Sequence, residues 1–158
     1  MSETMLYHAG KQMFEIPEIR VTKYTKDFSW GFYCTKDLTQ AIRWANRGFG
    51  EPVVNKYEYH EAGNLKKLVF DKMTDDWLDF IAACRNGDSH DYDIVEGPMA
   101  DDTVWNYVND FLNGNISREQ FWMLAAFKHP THQISFHTQK ALECLKYKGS
   151  EVVYDSEE

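Results

Sequence analysis

Residues 27–45 read Asp27-Phe28-Ser29-Trp30-Gly31-Phe32-Tyr33-Cys34-Thr35-Lys36-Asp37-Leu38-Thr39-Gln40-Ala41-Ile42-Arg43-Trp44-Ala45. A short aromatic run hands over there to a helical pattern. Phe32, Tyr33 and Cys34 suit a pleated, half-buried surface. Strand alternation puts Phe32 and Cys34 on one face and Tyr33 on the other, so Tyr33 is the aromatic most easily presented to a cleft. Gly31 permits a backbone shape that a side chain forbids, or the close approach of another group. Thr35 is expected to cap the following helix, with Asp37 in its first turn, where negative charge is favoured. Leu38, Ala41, Ile42 and Ala45 recur at helical spacing and give that helix an apolar face.

Outward from this stretch, the pattern is mixed. Residues 4–8 read as a first strand closed by Ala9-Gly10, and residues 53–59 as another. The Gly63-Asn64 turn signal suggests that residues 65–70 return as the second strand of a hairpin. Lys66-Lys67 marks that strand as an edge. Thr74 is an N-cap signal with Asp75-Asp76 behind it, opening a helix that ends near Asn86-Gly87. Residues 92–95 form a short strand before Gly97-Pro98. A helix follows Asp101-Asp102 and ends at Asn113-Gly114. Ser117-x-x-Gln120 has the form of a capping box and opens a helix through Phe127. Pro130 forces a break. Residues 133–137 alternate as a strand, Thr138 caps a short helix through Leu145, and residues 152–154 add a terminal strand. Strands early and late, with helices between, predict an α+β fold with antiparallel pairing rather than a doubly wound parallel sheet.

A chain of 158 residues is expected to form one domain over residues 1–158, with residues 155–158 an acidic tail. A formal net charge of -8 argues against general electrostatic binding of nucleic acid. Cys34, Cys84 and Cys144 cannot all pair within one chain, and buried thiols in a reducing cytoplasm are the expectation. The first residues show no basic segment followed by an apolar run, and no apolar stretch approaches membrane-spanning length. No signal peptide or membrane association is expected.

Several residues invite a chemical reading. His8 ends the first strand beside small residues. Viewed alone it reads as a histidine satisfied by backbone. Its functional reading is an imidazole bonded to a sugar hydroxyl, with the Ala9-Gly10 backbone meeting an amide. Gln133 reads alone as a solvent-facing strand residue, and functionally as a neutral hydrogen-bonding group at a cleft rim. Arg85 could pair with a carboxylate or clamp a phosphate, and its position favours neither. Asp75-Asp76 and Asp101-Asp102 read first as helix-start carboxylates. His129, His132 and His137 are close in sequence, but Pro130 prevents helical alignment of the first pair and no thiolate pair accompanies them. No metal is expected. Rossmann and P-loop motifs are absent.

Taken together, Leu6-Tyr7-His8-Ala9-Gly10, Gly31-Phe32-Tyr33 with its helix, and Gln133-Ile134-Ser135-Phe136-His137 resemble the bacterial domain-of-unknown-function family 3990. Trp77-Leu78-Asp79-Phe80-Ile81, Tyr92-Asp93-Ile94-Val95 with Gly97-Pro98, and Ala100-Asp101-Asp102 extend the match from about Met5 to Tyr147. That family is similar to the ADP-ribosyltransferase superfamily. The resemblance implies a split antiparallel β-sheet core with flanking helices. It also implies an NAD-dependent mono-ADP-ribosyltransferase, a toxin or effector. In the superfamily's His-Tyr-Glu branch, His8 would bind the NAD ribose hydroxyls, Gly10 would lie where backbone meets the nicotinamide amide, and Tyr33 would stack on the nicotinamide ring. Ala9, Gly31, Phe32 and Thr35 complete the expected nucleotide site. Gln133 stands where the branch has glutamate. An amide can hold the ribose 2′-hydroxyl, but it has no charge and cannot act as a base. A base, if required, would come from elsewhere, with Asp101 or Asp102 the candidates on family grounds. The expected partners are a macromolecular acceptor, protein before nucleic acid, and a small helical antitoxin-like protein. NAD hydrolysis and an inert ligand-binding module are the alternatives.

Overall fold

The computed structural model describes residues 4–19, 27–100, 102–126, 128 and 131–155. Thr4–Gly10 (β1), Val53–Tyr59 (β3) and Leu145–Val152 (β7) form an antiparallel sheet in the order β1-β3-β7. Phe32–Cys34 (β2), Lys67–Val69 (β4), Ile94–Pro98 (β5) and His132–Phe136 (β6) form a second sheet in the order β2-β6-β5-β4. The two sheets touch where an edge of each meets. Tyr7 N–H donates to the Thr35 carbonyl at 2.8 Å, and Thr35 N–H donates back to the Tyr7 carbonyl at 2.9 Å. That bridge sets His8 beside Tyr33.

The alternation read in residues 32–34 decides the layering. Phe32 and Cys34 face the three-stranded sheet and pack, with Ile134 and Phe136, against Leu6, Tyr57 and Tyr59. Tyr33 and Val95 face the opposite way, into Trp77, Leu78, Ile81, Val108 and Phe121. Those side chains belong to the helices Asp75–Arg85 (α2), Asp102–Leu112 (α3) and Arg118–Ala125 (α4). Leu38–Ala45 (α1) covers the outer face of the three-stranded sheet, with Ala41 and Ala45 against Val54. Gln139–Leu142 (α5) is a single turn between β6 and β7. With five helices and two sheets among the described residues, the chain has a mixed α+β architecture. Among the described residues, no helix is long and apolar enough to cross a membrane.

Local signals in the sequence set most helix starts. Thr74 Oγ1 accepts from Trp77 N–H at 3.2 Å. Ser117 and Gln120 complete a reciprocal capping box, at 3.1 Å and 2.8 Å. Thr138 accepts from Ala141 N–H at 3.1 Å. α2 and α3 are followed by Gly87 and Gly114 at positive φ, 98° and 76°. Each is a position where a side chain would be strained.

Four expectations are corrected. Residues 67–69 do not return on β3 as a hairpin; β4 pairs with β5, and the pair is parallel. α2 is the crossover that parallel pairing requires, so the sheet is not wholly antiparallel. β4 does lie at the edge. The cap of α1 is Asp37, whose side chain accepts from Gln40 N–H, while Thr35 Oγ1 accepts from Asp37 N–H. Leu38 is exposed at the start of that helix and Gln40 is buried in its place. The last strand begins at Leu145, where a helix was expected, and ends at Val152. It is an edge strand with Lys146, Lys148 and Glu151, so its apolar alternation is faint. The continuation of α4 to Phe127, the break at Pro130, His129, Asp101, Met1 to Glu3 and residues 156–158 of the acidic tail lie outside the described residues. The three cysteines are buried thiols. Burial raises the thiol pKa of Cys34 well above its usual range and of Cys84 to about 12.

Gly31 serves close approach. A Cβ there would stand 2.7 Å from His137 Nδ1 and 3.0 Å from the Phe136 carbonyl. His137 cannot yield easily, because its Nδ1 lies 2.8 Å from the Trp30 carbonyl and its Nε2 lies 2.7 Å from Ser135 Oγ. The carbonyl only accepts, so Nδ1 carries the proton, while the one Ser135 hydroxyl proton is shared between Nε2 and the Val95 carbonyl at 3.0 Å. Burial, and secondarily the neighbouring His90 at 4.4 Å between ring centroids, lowers the His137 pKa to about 4, against the Trp30 hydrogen bond, which raises it. An unfolded histidine takes its proton near pH 6.5. The unfolded chain therefore binds more protons between those values. The resulting stability is complete above about pH 6.5 and is lost as pH falls towards 4, up to about 3 kcal/mol in all. Urea unfolding of the wild type and of His137→Asn across this range checks it. The wild type should lose more stability than the variant, and equal slopes would count against a neutral buried imidazole.

Candidate active site

A cavity of about 340 Å³ lies at the seam of the two sheets. His8 and Ala9 reach it from β1, Tyr33 from β2 and Gln133 from β6. Asp27, Trp44, Arg47, Arg85 and Met99 complete its lining. The three side chains expected to act together therefore line one hollow, although they are far apart along the chain. Gln133 is buried, 4% exposed, and not the solvent-facing residue that its strand pattern alone suggests.

Each of the three is held differently. His8 Nδ1 lies 2.9 Å from the Tyr33 carbonyl and so bears a proton, which makes Nε2 an acceptor in the neutral ring. Its ring stacks on Phe32 at 4.0 Å and meets Phe14 edge-on at 5.4 Å. Tyr33 is 8% exposed, and Phe28 backs its ring. Its hydroxyl donates to the Ser29 carbonyl at 2.6 Å and accepts from Phe28 N–H at 3.0 Å. Burial first, and Asp27 second, raise the phenol pKa well above its ordinary value, so the hydroxyl stays protonated. These bonds hold a turn in which Ser29 has φ 77°, a conformation uncommon outside glycine. That turn delivers Asp27.

Asp27 is the one carboxylate among the described residues lining the cavity, and it is 3% exposed. Its Oδ1 accepts from Arg85 Nε at 3.0 Å and pairs with Arg85 Nη2. Its Oδ2 accepts from Ala100 N–H at 2.6 Å and from Gln133 Nε2 at 3.4 Å. The Arg85 guanidinium lies 3.7 Å from the centre of the Trp105 ring. Of the two roles open to Arg85, it takes the pairing with a carboxylate. Trp44 Nε1 is buried and, among the described residues, is the side-chain polar atom left without a hydrogen bond. A buried donor without a partner costs on the order of 1–3 kcal/mol.

The other expected site residues are placed around this hollow. Thr35 lines an adjoining cavity of about 270 Å³, together with Glu96 and Gln133, so Gln133 borders both. Gly10 sits against His8 and Phe14, Gly31 against His137, and Phe32 under the His8 ring. These three pack behind the cavity and do not line it.

Asp27, Trp44, Arg47 and Met99 have no role in the sequence reading. Asp27 opens the quoted stretch, but nothing in local pattern ties it to residues 58 and 106 positions away. Trp44 and Arg47 come from the far end of α1 and the turn after it, where spacing reports only the apolar face of a helix. A tryptophan on the less apolar side of that helix was the available signal.

Residues 4–147 match the model of the family described as protein of unknown function, DUF3990. Neither the curated proteins nor the solved structures gave a match.

Proposed function

Since this chain belongs to the DUF3990 family, whose description names no activity, we propose its function from the site: NAD-dependent transfer of a single ADP-ribose unit to a macromolecule. One observation carries the reading: His8, Tyr33 and Gln133 line the same cavity. They are the types that nicotinamide–ribose cleavage in an ADP-ribosyltransferase-like fold would use. His8 Nε2 is an acceptor for a ribose hydroxyl. Tyr33 offers an aromatic surface to nicotinamide. Gln133 is a neutral group for the 2′-hydroxyl. At about 340 Å³ the cavity is near the small end of ligand pockets. It takes the nicotinamide-ribose end, leaving the pyrophosphate at the rim beside the exposed Arg47.

In the reaction, the bond between ribose C1′ and the nicotinamide nitrogen breaks, and its electron pair leaves with nicotinamide. A nucleophile of the acceptor forms the new bond at C1′ and gives up its proton. The sugar passes through a state resembling an oxocarbenium ion, by analogy with glycoside cleavage. The net charge of -8 favours a protein over nucleic acid as acceptor. A toxin or effector role, and a small helical partner that restrains it, extend the same proposal.

A second reading has its own support. Residue 133 is an amide, and the one described carboxylate in the lining is already paired with Arg85. A module that binds NAD without cleaving it would look like this. Nicotinamide release from NAD, measured with and without cell lysate, separates the readings. Transfer predicts lysate-dependent release together with label on macromolecules. Release in buffer alone indicates hydrolysis, and binding without release indicates the inert module.

A further inference from the structure

We propose that Asp27 is a positioning residue for Gln133. It holds the amide so that Oε1, the acceptor end, is presented to the cavity. The proposal rests on the transfer reading above and says how a glutamine can occupy the place of a carboxylate.

The chemistry of the contact sets the amide's orientation. A carboxylate only accepts, so the end of Gln133 nearest Asp27 is its NH2 group. That contact, from Nε2 to Oδ2 at 3.4 Å, is the side chain's hydrogen bond among the described residues, and Oε1 has none there. Gln133 borders both cavities, so its acceptor oxygen is available to a hydroxyl donor. Asp27 itself is fixed from three sides. Arg85 takes Oδ1, Ala100 N–H takes Oδ2 at 2.6 Å, and the Tyr33 hydroxyl holds the turn behind it. Arg85 is braced in turn by Trp105.

On the transfer reading, the same geometry accounts for an amide rather than a carboxylate at residue 133. A carboxylate at 133 would face the Asp27 carboxylate across a hydrogen-bond distance. Two such groups cannot both ionise cheaply, and one would hold a proton. The chain keeps the negative charge at position 27 and the neutral acceptor at position 133. Moving the charge should therefore require changing both residues.

Four proteins test this: wild type, Asp27→Asn, Gln133→Glu and the exchange D27N/Q133E. Each is assayed for nicotinamide release over a pH series and for urea unfolding. In Asp27→Asn the single oxygen goes to the charged Arg85 guanidinium, so the NH2 takes the Oδ2 side at the cost of the Ala100 N–H bond, and Gln133 turns Oε1 towards residue 27 and its NH2 towards the cavity. Release should fall at least about tenfold in kcat/KM. Gln133→Glu should also lose release at neutral pH, and its pH profile should gain the titration of a shared proton absent from the wild type. The exchange restores an acceptor at 133 and a donor at 27. It should recover release to within about threefold of wild type, a non-additivity that uncoupled sites would not give. Its unfolding midpoint should return towards that of the wild type. An exchange as impaired as the product of the two single changes overturns the proposal. If the wild type releases no nicotinamide with or without lysate, the transfer reading fails instead, and unfolding alone decides the pair. A recovered midpoint in the exchange then supports the positioning contact, and additive losses overturn it.

Discussion

Arg85→Ala is expected to cost about 3–5 kcal/mol of folding stability, the range for removing one partner of a buried ion pair. The loss falls on Asp27. Its side chain is 4% exposed against 20% for Arg85, so the carboxylate left behind cannot reach water by a simple rotation. It would retain Ala100 N–H and the long contact from Gln133, which satisfy hydrogen bonding without balancing the charge. The variant also removes the plane stacked on Trp105. The reverse change, Asp27→Ala, should cost less, because the more exposed guanidinium can turn outward. Domains of ordinary stability hold about 5–15 kcal/mol, so Arg85→Ala approaches the whole margin of a weak one. Urea unfolding of both variants checks the order. An Arg85→Ala loss under about 1 kcal/mol would mean that the pair contributes no more than an exposed salt bridge.

Gln133→Ala should act on turnover with little effect on folding. Nicotinamide release should fall by about 10²–10³-fold, the scale seen when one group contacting the reacting centre is removed. The fall should appear mainly in kcat, since the amide's contact with the 2′-hydroxyl matters most as charge develops on the ribose. Stability should change by less than about 1 kcal/mol, because the hydrogen bond to Asp27 is long, at 3.4 Å, and Asp27 keeps its other partners. Steady-state kinetics with circular dichroism and urea unfolding separate the two effects. Undiminished release would remove Gln133 from the chemistry.

Short-range features of this chain were legible in sequence because each depends on neighbours. Thr74 and Ser117 cap their helices through contacts three residues away. The alternation of Phe32, Tyr33 and Cys34 foretold that Tyr33 would point away from the core of its neighbours, and the three residues do divide between two cores. The strands of His8 and Gln133 were also readable, and with them the elements that bring those residues to the cavity. Pairings across the sheet were not. The parallel register of β4 with β5 depends on where α2 sends the chain, and the turn at Gly63-Asn64 pointed locally to a hairpin. Asp27 shows the same limit at the site. Its partners Arg85, Ala100 and Gln133 lie 58, 73 and 106 positions away. No periodicity spans such separations, so the carboxylate that organises Gln133 was visible only in three dimensions.

The hollow at the seam of the two sheets should receive NAD. Titration of NAD into isotopically labelled protein, followed by NMR, tests this most directly. Saturable shifts are predicted at the His8 ring, the Tyr33 ring, the Trp44 indole N–H and the Gln133 side-chain amide together. No shift at millimolar NAD, or saturable shifts confined to residues away from that seam, would contradict it.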